Sequence, residues 1–475
     1  MDIAEVMGSL LKWSVPALLA MAAGMGVVLF VYIVIYRRVF NGEKRITAKT
    51  FILLVLLIGY LFLVFALTNL GRGANYDGWI NLNILSGYID AWNDWSLLAF
   101  QLIVFNVILF IPLGILLPLL SRKLDSLKAV CLIALGFTLF IEFFQLLTHT
   151  GIFELDDILH NTLGGVLGLL VFRAFKELIQ NRRVRFKTVM KAVMIPAAFT
   201  FLFLGAQIFY GIQEFGNLSE YPSRGTDLTG VTISSVIPLR TEEKEASVFL
   251  NVRSNMPERG DEIADVLHTE LGLPDIRSDA RDGDNRQYRF MEEDGTAYCM
   301  TYFNREGTWS LFDNNFDYNQ PKAQAGVAAS QIEETLKQNG FLPDYASLTA
   351  DRNGMLRWDA NVENPIEIKE DFLSGVVMAQ SLPEGKIVSL SCDLTENKYI
   401  RQVKLISRQE AFQRIRQGKF DSYTPFHRGD NLVITNCRIV YRYDSKGYYQ
   451  PEYLFTGMLN GEPDASSILI PALKT

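Results

Sequence analysis

The sequence predicts a polytopic α-helical membrane domain of six transmembrane helices followed by an extracytoplasmic α+β domain. Three observations predict it. Six apolar runs before about Tyr210 are each long enough to cross a hydrocarbon core about 30 Å thick, which takes roughly 20 helical residues. Lys and Arg collect in alternate loops. Beyond Gln213 the composition turns polar, and amphipathic helices alternate with β-rich runs. The expected organisation is a membrane domain over residues 1–212, a stalk over 213–240 and a folded domain over 241–475.

The six runs are Trp13–Tyr36, Phe51–Leu70, Leu97–Leu120, Leu127–Thr148, Ile158–Phe175 and Val189–Tyr210, and away from their ends Glu142 is the only charge that interrupts them. Asp2 and Glu5 stand where a signal peptide has its basic region, so the first run reads as a retained span. The segments after the first, third and fifth spans carry Arg37, Arg38, Lys44, Arg45 and Lys49, then Arg122, Lys123 and Lys128, then a cluster from Arg173 to Lys191. The opposite loops offer Arg72 against Asp77, Asp90, Asp94, Glu154, Asp156 and Asp157. By the lysine and arginine rule the first set is cytoplasmic, so the N-terminus and everything after Tyr210 lie outside the cell membrane.

In the C-terminal half the segment "QEFGNLSEYPSRGTDLTG" reads as the stalk. Three amphipathic helices are expected, near Asp261–Glu270, near Ala325–Gln338 and after Ser407. The third has an N-cap in Ser407, a capping-box partner in Glu410 and a C-cap in Gly418. Each precedes a strand-like run joined by Gly-containing turns, so three helix-plus-meander units are expected. Serine occurs without a nucleophile motif, and His268 and His427 lack spaced metal partners and read as solvated surface groups. Cys299, Cys392 and Cys437 are an odd number beyond the spans and read as small apolar residues, with room for one disulfide. A pI near 5.4 gives no nucleic-acid footprint.

The chemistry concentrates in "FELDDILHNTLGG" and the two spans before it. At 1.5 Å per residue, Asn106 lies on the order of 13 Å below the third span's entry and Glu142 roughly 10 Å below the fourth span's exit. Asn161 follows about a turn below Asp157. Glu142, Gln145 and His149 share one face of their helix, and Asp157, Asn161, Gly164 and Gly168 share another. The Gly164-x-x-x-Gly168 pair lets a neighbouring backbone come close. An ionisable group inside a span costs several kcal/mol unless paired or hydrated, which points to a site facing the bundle interior.

The stretches "FNVILFIPLGILLP" and "FIEFFQLLTHTGIFELDDILHNTLGGVLG" resemble the VanZ-like family of bacterial membrane proteins, named for a teicoplanin-resistance protein. Its pattern of Asn, Pro-x-Gly, Glu-x-x-Gln, an acidic pair and Asn-x-x-Gly maps onto Asn106, Pro112, Gly114, Glu142, Gln145, Asp156, Asp157, Asn161 and Gly164, within residues 51–175. The family often has an Arg shortly before the acidic pair, where this chain has Gly151 and Ile152. The resemblance implies an envelope function connected with tolerance to lipoglycopeptides. The Ser-x-x-Glu-Ala helix from Ser407 followed by "RIVYRYDSKGYYQPEYLF", within a stretch from about Asp261 to Gly457, resembles the extracytoplasmic PepSY-like and YycH/YycI-like regulatory domains of Gram-positive bacteria, which implies binding or regulation rather than catalysis.

The resulting expectation is a non-enzymatic membrane protein with no cofactor, no metal site and no catalytic set. Asn106, Glu142, Gln145, Asp156, Asp157 and Asn161 would bind an amphiphile, either a lipid-linked envelope precursor or a lipoglycopeptide, with Pro112, Gly114, Gly164 and Gly168 packing the helices. Membrane lipids and a partner membrane protein are the other expected partners. Two alternatives stand beside it. One is a membrane-embedded enzyme acting on an envelope lipid with Glu142 as acid or base. The other is an anchored sensor whose C-terminal domain regulates a partner.

Overall fold

A computed structural model describes residues 3–39, 41, 43, 46–70, 79–218, 225–282, 285–292, 295–316, 329–352, 355–362, 364–381, 387–420, 422, 426–463 and 467–474. Arg72 and Asp77 of the expected outer loop fall outside them. The chain divides into a membrane unit, Met1–Trp92 and Ser96–Gln213, and a C-terminal unit, Glu214–Thr475, with which the short segment Asn93–Trp95 groups.

The membrane unit is built from α1 (Ile3–Phe30, continued by a wider π-type helical stretch, Val31–Val39), α2 (Ala48–Asn69), α3 (Ser86–Asn93), α4 (Leu97–Leu120), α5 (Leu127–Thr148), α6 (Leu155–Asn181) and α7 (Phe186–Ile212). All but α3 are long and apolar enough to cross a membrane, the first of them over Met21–Val39. Three of the helices start where the sequence offers an acceptor: Thr47, Ser96 and Ser126 cap α2, α4 and α5 through their side-chain hydroxyls. Helices α4, α5 and α6 form the buried centre, with Phe110, Leu113, Ile141 and Leu169 in one apolar cluster.

The seam between α4 and α6 is set by glycine. A Cβ on Gly114 would stand 2.0 Å from the Gly165 carbonyl oxygen, one on Gly164 2.1 Å from that of Val107, and one on Gly168 2.1 Å from that of Ile111. Only hydrogen fits at these positions, so the two backbones touch. Pro112 is exposed and takes no part in this seam. It sits two residues from Gly114, about 200° around the helix, and so points away from the face that Gly114 buries.

The C-terminal unit holds two sheets. The first is antiparallel throughout, in the order Ile276–Asp282, Asn285–Glu292, Gly295–Phe303, Thr308–Asp313, Ile387–Cys392, Val376–Ser381, Met355–Asp359, Ser347–Arg352. Helices α8 (Glu258–Glu270) and α9 (Ala329–Gln338) lay Ile263, Leu267, Ile332 and Leu336 into its core, around Trp358 and Tyr302. Residues 325–328 of the second expected helix fall outside the described residues. The first two helix-plus-meander units thus share one sheet, joined where Thr308–Asp313 pairs with Ile387–Cys392.

The second sheet runs Phe372–Ser374, Thr395–Lys404, Glu245–Asn251, Tyr448–Leu459, Asn431–Tyr443, Thr232–Ser235. Helix α10 (Arg408–Arg416) packs Phe412 and Ile415 into its core. The Ser407 hydroxyl accepts from the Glu410 N–H at 3.1 Å, and Gly418 has φ +69°. The Glu410 carboxylate pairs with Arg414 at 3.3 Å.

Two expectations are corrected here. The stretch read as a stalk is folded where described: Thr232–Ser235 is a strand, and residues 214–217 are clamped to strand Thr395–Lys404 and to the hairpin of Asn431–Tyr443 and Tyr448–Leu459. Glu214 forms a bidentate ion pair with Arg401, Phe215 packs edge-on against Tyr448, and Gly216 N–H donates to buried Asp444 at 2.6 Å. The polar composition that suggested a linker serves this docking. His268 is anchored, its Nδ1 2.7 Å from the Leu273 carbonyl oxygen and its Nε2 3.4 Å from Asp275. The cysteines are as expected, all four being free thiols.

Candidate functional site

The polar groups gather at the end of the bundle where α4 begins, α5 ends and α6 begins. A two-rung parallel ladder, Ile80 with Phe153 and Asn81 with Glu154, ties the loop after α2 to the loop before α6. This ladder brings the acidic stretch within reach of α3. Asp156 accepts from the backbone N–H of Leu85 at 2.6 Å and of Gly87 at 2.9 Å, and from the Ser86 hydroxyl at 3.4 Å. A carboxylate from α6 therefore caps the start of α3 from across the fold.

Beneath this cap each predicted residue has a specific place. Glu142 is 1% exposed, and its Oε2 accepts from the Glu154 N–H at 2.9 Å. Asn106 on α4 donates to Asp157 on α6 at 2.6 Å. Asn161 donates to the Thr138 hydroxyl on α5 at 2.9 Å. Gln145 donates to the Thr68 carbonyl oxygen on α2 at 3.0 Å. The bonds thus link α4 to α6, α6 to α5 and α5 to α2.

Two orphan atoms stand out. Asn161 is 4% exposed and its Oδ1 has no partner; His160 is 5% exposed and its Nδ1 has none, while its Nε2 lies 2.8 Å from the Tyr88 hydroxyl. In a bilayer a buried, unpaired polar atom costs several kcal/mol, so each is a place where a ligand or water group fits.

One predicted residue leaves the face. His149 is the C-cap of α5 in the left-handed conformation, with φ +56°, and is exposed. The helix ends before the heptad spacing from Glu142 can carry it inward. Among the described residues no three His, Cys, Asp or Glu side chains are placed to hold a metal. Sequence reasoning missed Thr138, Ser86 and the whole of α3. Thr138 had a signal, four residues before Glu142 on the same helical face. The short polar α3 had none of the span signature.

These features define a multi-pass membrane protein with a buried polar cluster at one end of a glycine-seamed helix core. The chain carries a VanZ-like membrane region: the VanZ/LLP1 family model matches residues 27–176, which begins earlier than the expected 51 and takes in the end of the first span. No curated protein matches the chain. Among solved structures, the C-terminal domain of Bacillus megaterium YpeB is similar at 12% identity with a TM-score of 0.21, covering 47% of this chain and 100% of that one. An uncharacterized protein from Eubacterium rectale ATCC 33656 is similar at 10% identity with a TM-score of 0.23, covering 51% of this chain and 87% of that one.

Proposed function

We propose that the VanZ-like bundle binds the polar head of an envelope amphiphile, a lipid-linked precursor or a lipoglycopeptide such as teicoplanin, and that this contributes to antibiotic tolerance. The observation that carries the reading is Asn161: a buried amide inside a membrane bundle, between Thr138 and the seam glycine Gly164, with its oxygen unpartnered. Glu142 and Asp157 supply the anionic acceptors around it, and Asn106 fixes the Asp157 carboxylate. Asp156 and Gln145 act as positioning residues, the first holding α3 and the second holding α2. The lysine and arginine bias of the loops supports this end of the bundle lying in the outer leaflet, with the C-terminal unit outside the membrane.

The test uses purified full-length protein in lipid nanodiscs with fluorescent teicoplanin and a lipid-linked muropeptide as separate probes. Glu142→Gln weakens a buried charged interaction worth about 1.5 to 3 kcal/mol, so Kd rises roughly 10-fold to 150-fold for the true ligand class, and Asn161→Ala removes a neutral one worth about 1 kcal/mol, so Kd rises roughly 5-fold. Unchanged retention of both probes, with unchanged drug tolerance in cells that insert the variants normally, would refute the reading.

A further inference from the structure

The flank of the membrane unit between α4 and α7 is concave. A recess of about 790 Å³ lies there, roofed by Tyr88 and Trp92 of α3 and walled by Leu102 and Phe105 of α4 and Leu202 and Phe203 of α7. Its volume is in the range of ligand sites, which run to about 1,000 Å³. We infer that this recess seats one long hydrocarbon chain of the amphiphile whose head the polar cluster takes; the inference rests on the function proposed above.

Three observations fix the occupant. First, α7 is propped away from the core by rings rather than packed against it. Phe100 meets Phe203 at 5.9 Å, and Trp92 meets Phe209 at 5.7 Å and Tyr210 at 6.2 Å. A Cβ added at Gly205 of α7 would find no atom within 4 Å, the opposite of the α4 and α6 seam.

Second, the lining is apolar apart from Gln101 and the polar tips of Tyr88 and Trp92, which suits a flexible hydrocarbon chain that takes the shape of the gap. The walls offer such a chain apolar area, and Leu202 is 64% exposed along the open side.

Third, the recess runs into the polar cluster through one residue. The Tyr88 ring lines the recess while its hydroxyl lies 2.8 Å from His160 Nε2, on the turn of α6 that also carries Asp156 and Asp157. A molecule with its chain along α4 and α7 has its polar end at Tyr88, beside the cluster. A recess for bulk lipid needs no such junction.

The test is photolabelling of the full-length protein in nanodiscs with palmitoyl lysophosphatidylglycerol carrying a mid-chain diazirine, with crosslinks mapped by mass spectrometry. Labelling of Leu102, Phe105 and Leu202 is expected to exceed that of lipid-facing Ile52 and Phe201 by at least about fivefold. Ala206→Phe fills the recess and lowers that labelling by about the same factor. Leu202→Trp, on the exposed wall, is a second filling variant that needs no core repacking. Labelling no stronger in the recess than at Ile52, or indifferent to both fillings, overturns the inference. The two readings fail separately. Head-group binding lost in Glu142→Gln alongside uniform labelling sinks the chain seat alone. Labelling blocked by filling, with Glu142→Gln and Asn161→Ala binding as wild type, sinks the head-group site and leaves the chain seat standing.

Discussion

Replacing Asp156 with alanine removes the acceptor that holds the start of α3, and the structure gives the size of the effect. Two backbone N–H groups, Leu85 at 2.6 Å and Gly87 at 2.9 Å, donate to this carboxylate, and the residue is 4% exposed. Hydrogen bonds to a charged acceptor are worth about 1.5 to 3 kcal/mol each, and bonds sharing one carboxylate add less than in full, so the loss is about 3 kcal/mol. It falls on the local opening of α3, since the long helices keep their own contacts. The assay places a cysteine at Ala91, buried on α3, in a background with the four native cysteines replaced, and follows maleimide labelling in detergent. About 3 kcal/mol of opening free energy corresponds to roughly 150-fold faster labelling. Asp156→Asn, which keeps one acceptor oxygen, falls between the two. An unchanged labelling rate in Asp156→Ala would show that α3 is held by other contacts and that Asp156 is free for a ligand.

Two further outcomes test the frame around the site. Gly164→Ala puts a methyl group 2.1 Å from the Val107 carbonyl oxygen, so α4 and α6 must separate, and a stability loss of about 2 to 3 kcal/mol is expected by thermal unfolding in detergent. Gly205→Ala on α7, where a methyl group meets nothing, is expected to be neutral or stabilising by up to about 1 kcal/mol; equal effects at the two positions would remove the case for a seam. At the other end of the bundle, in the α4 to α5 loop, burial pushes the Asp125 carboxyl up, but Lys176 and Arg173, each at 2.9 Å, outweigh it and hold it below its ordinary 3.8. A carboxylate depressed in the folded state stabilises fully above the unfolded value and loses this as pH falls through the folded value. The Tm gap between wild type and Asp125→Asn, worth about 1 kcal/mol because both cations are partly exposed, is therefore constant near pH 7 and closes below about pH 3.8. A gap that does not narrow as pH falls below about 3.8 would contradict the assignment.

The membrane unit was legible because hydrocarbon imposes a one-dimensional rule: a span needs about 20 apolar residues in a row, and Leu97–Leu120 and Leu127–Thr148 have the ends that hydropathy gave them. The inward turn of the polar stripes was legible for the same reason, as a buried carboxylate such as Glu142 has few affordable positions in lipid. Partners were not legible. That Asp156 would cap α3, while its neighbour Asp157 meets Asn106, depends on the Ile80 to Phe153 ladder, a contact between segments far apart in sequence. The C-terminal unit was coarser still. The central hairpin strands Val376–Ser381 and Ile387–Cys392 were visible as apolar runs. The edge strand Ser347–Arg352, "SLTADR", was not, because an edge strand faces water and keeps polar residues.

The α4 and α6 seam also limits how a ligand can enter. From Asp157 to Gly168 the two helices are tied at the top by the Asn106 bond and further down by glycine contacts, over about 16 Å at 1.5 Å per residue. A guest wedged between them would have to separate two backbones already in contact, at a cost of several kcal/mol in lost packing. Entry through the seam is therefore disfavoured. Two sides remain: the α5 side, where Thr138 and Asn161 meet by one neutral hydrogen bond, and the α3 side, where Tyr88 stands between His160 and the apolar flank. Neutral bonds net only about 1 kcal/mol and exchange readily, unlike the charged bonds at Asp156 and Asp157. On the function proposed above, Asp156 with its two backbone donors therefore serves as fixed frame, and the neutral groups Asn161, Thr138, Tyr88 and His160 are the first to trade partners when a head group arrives.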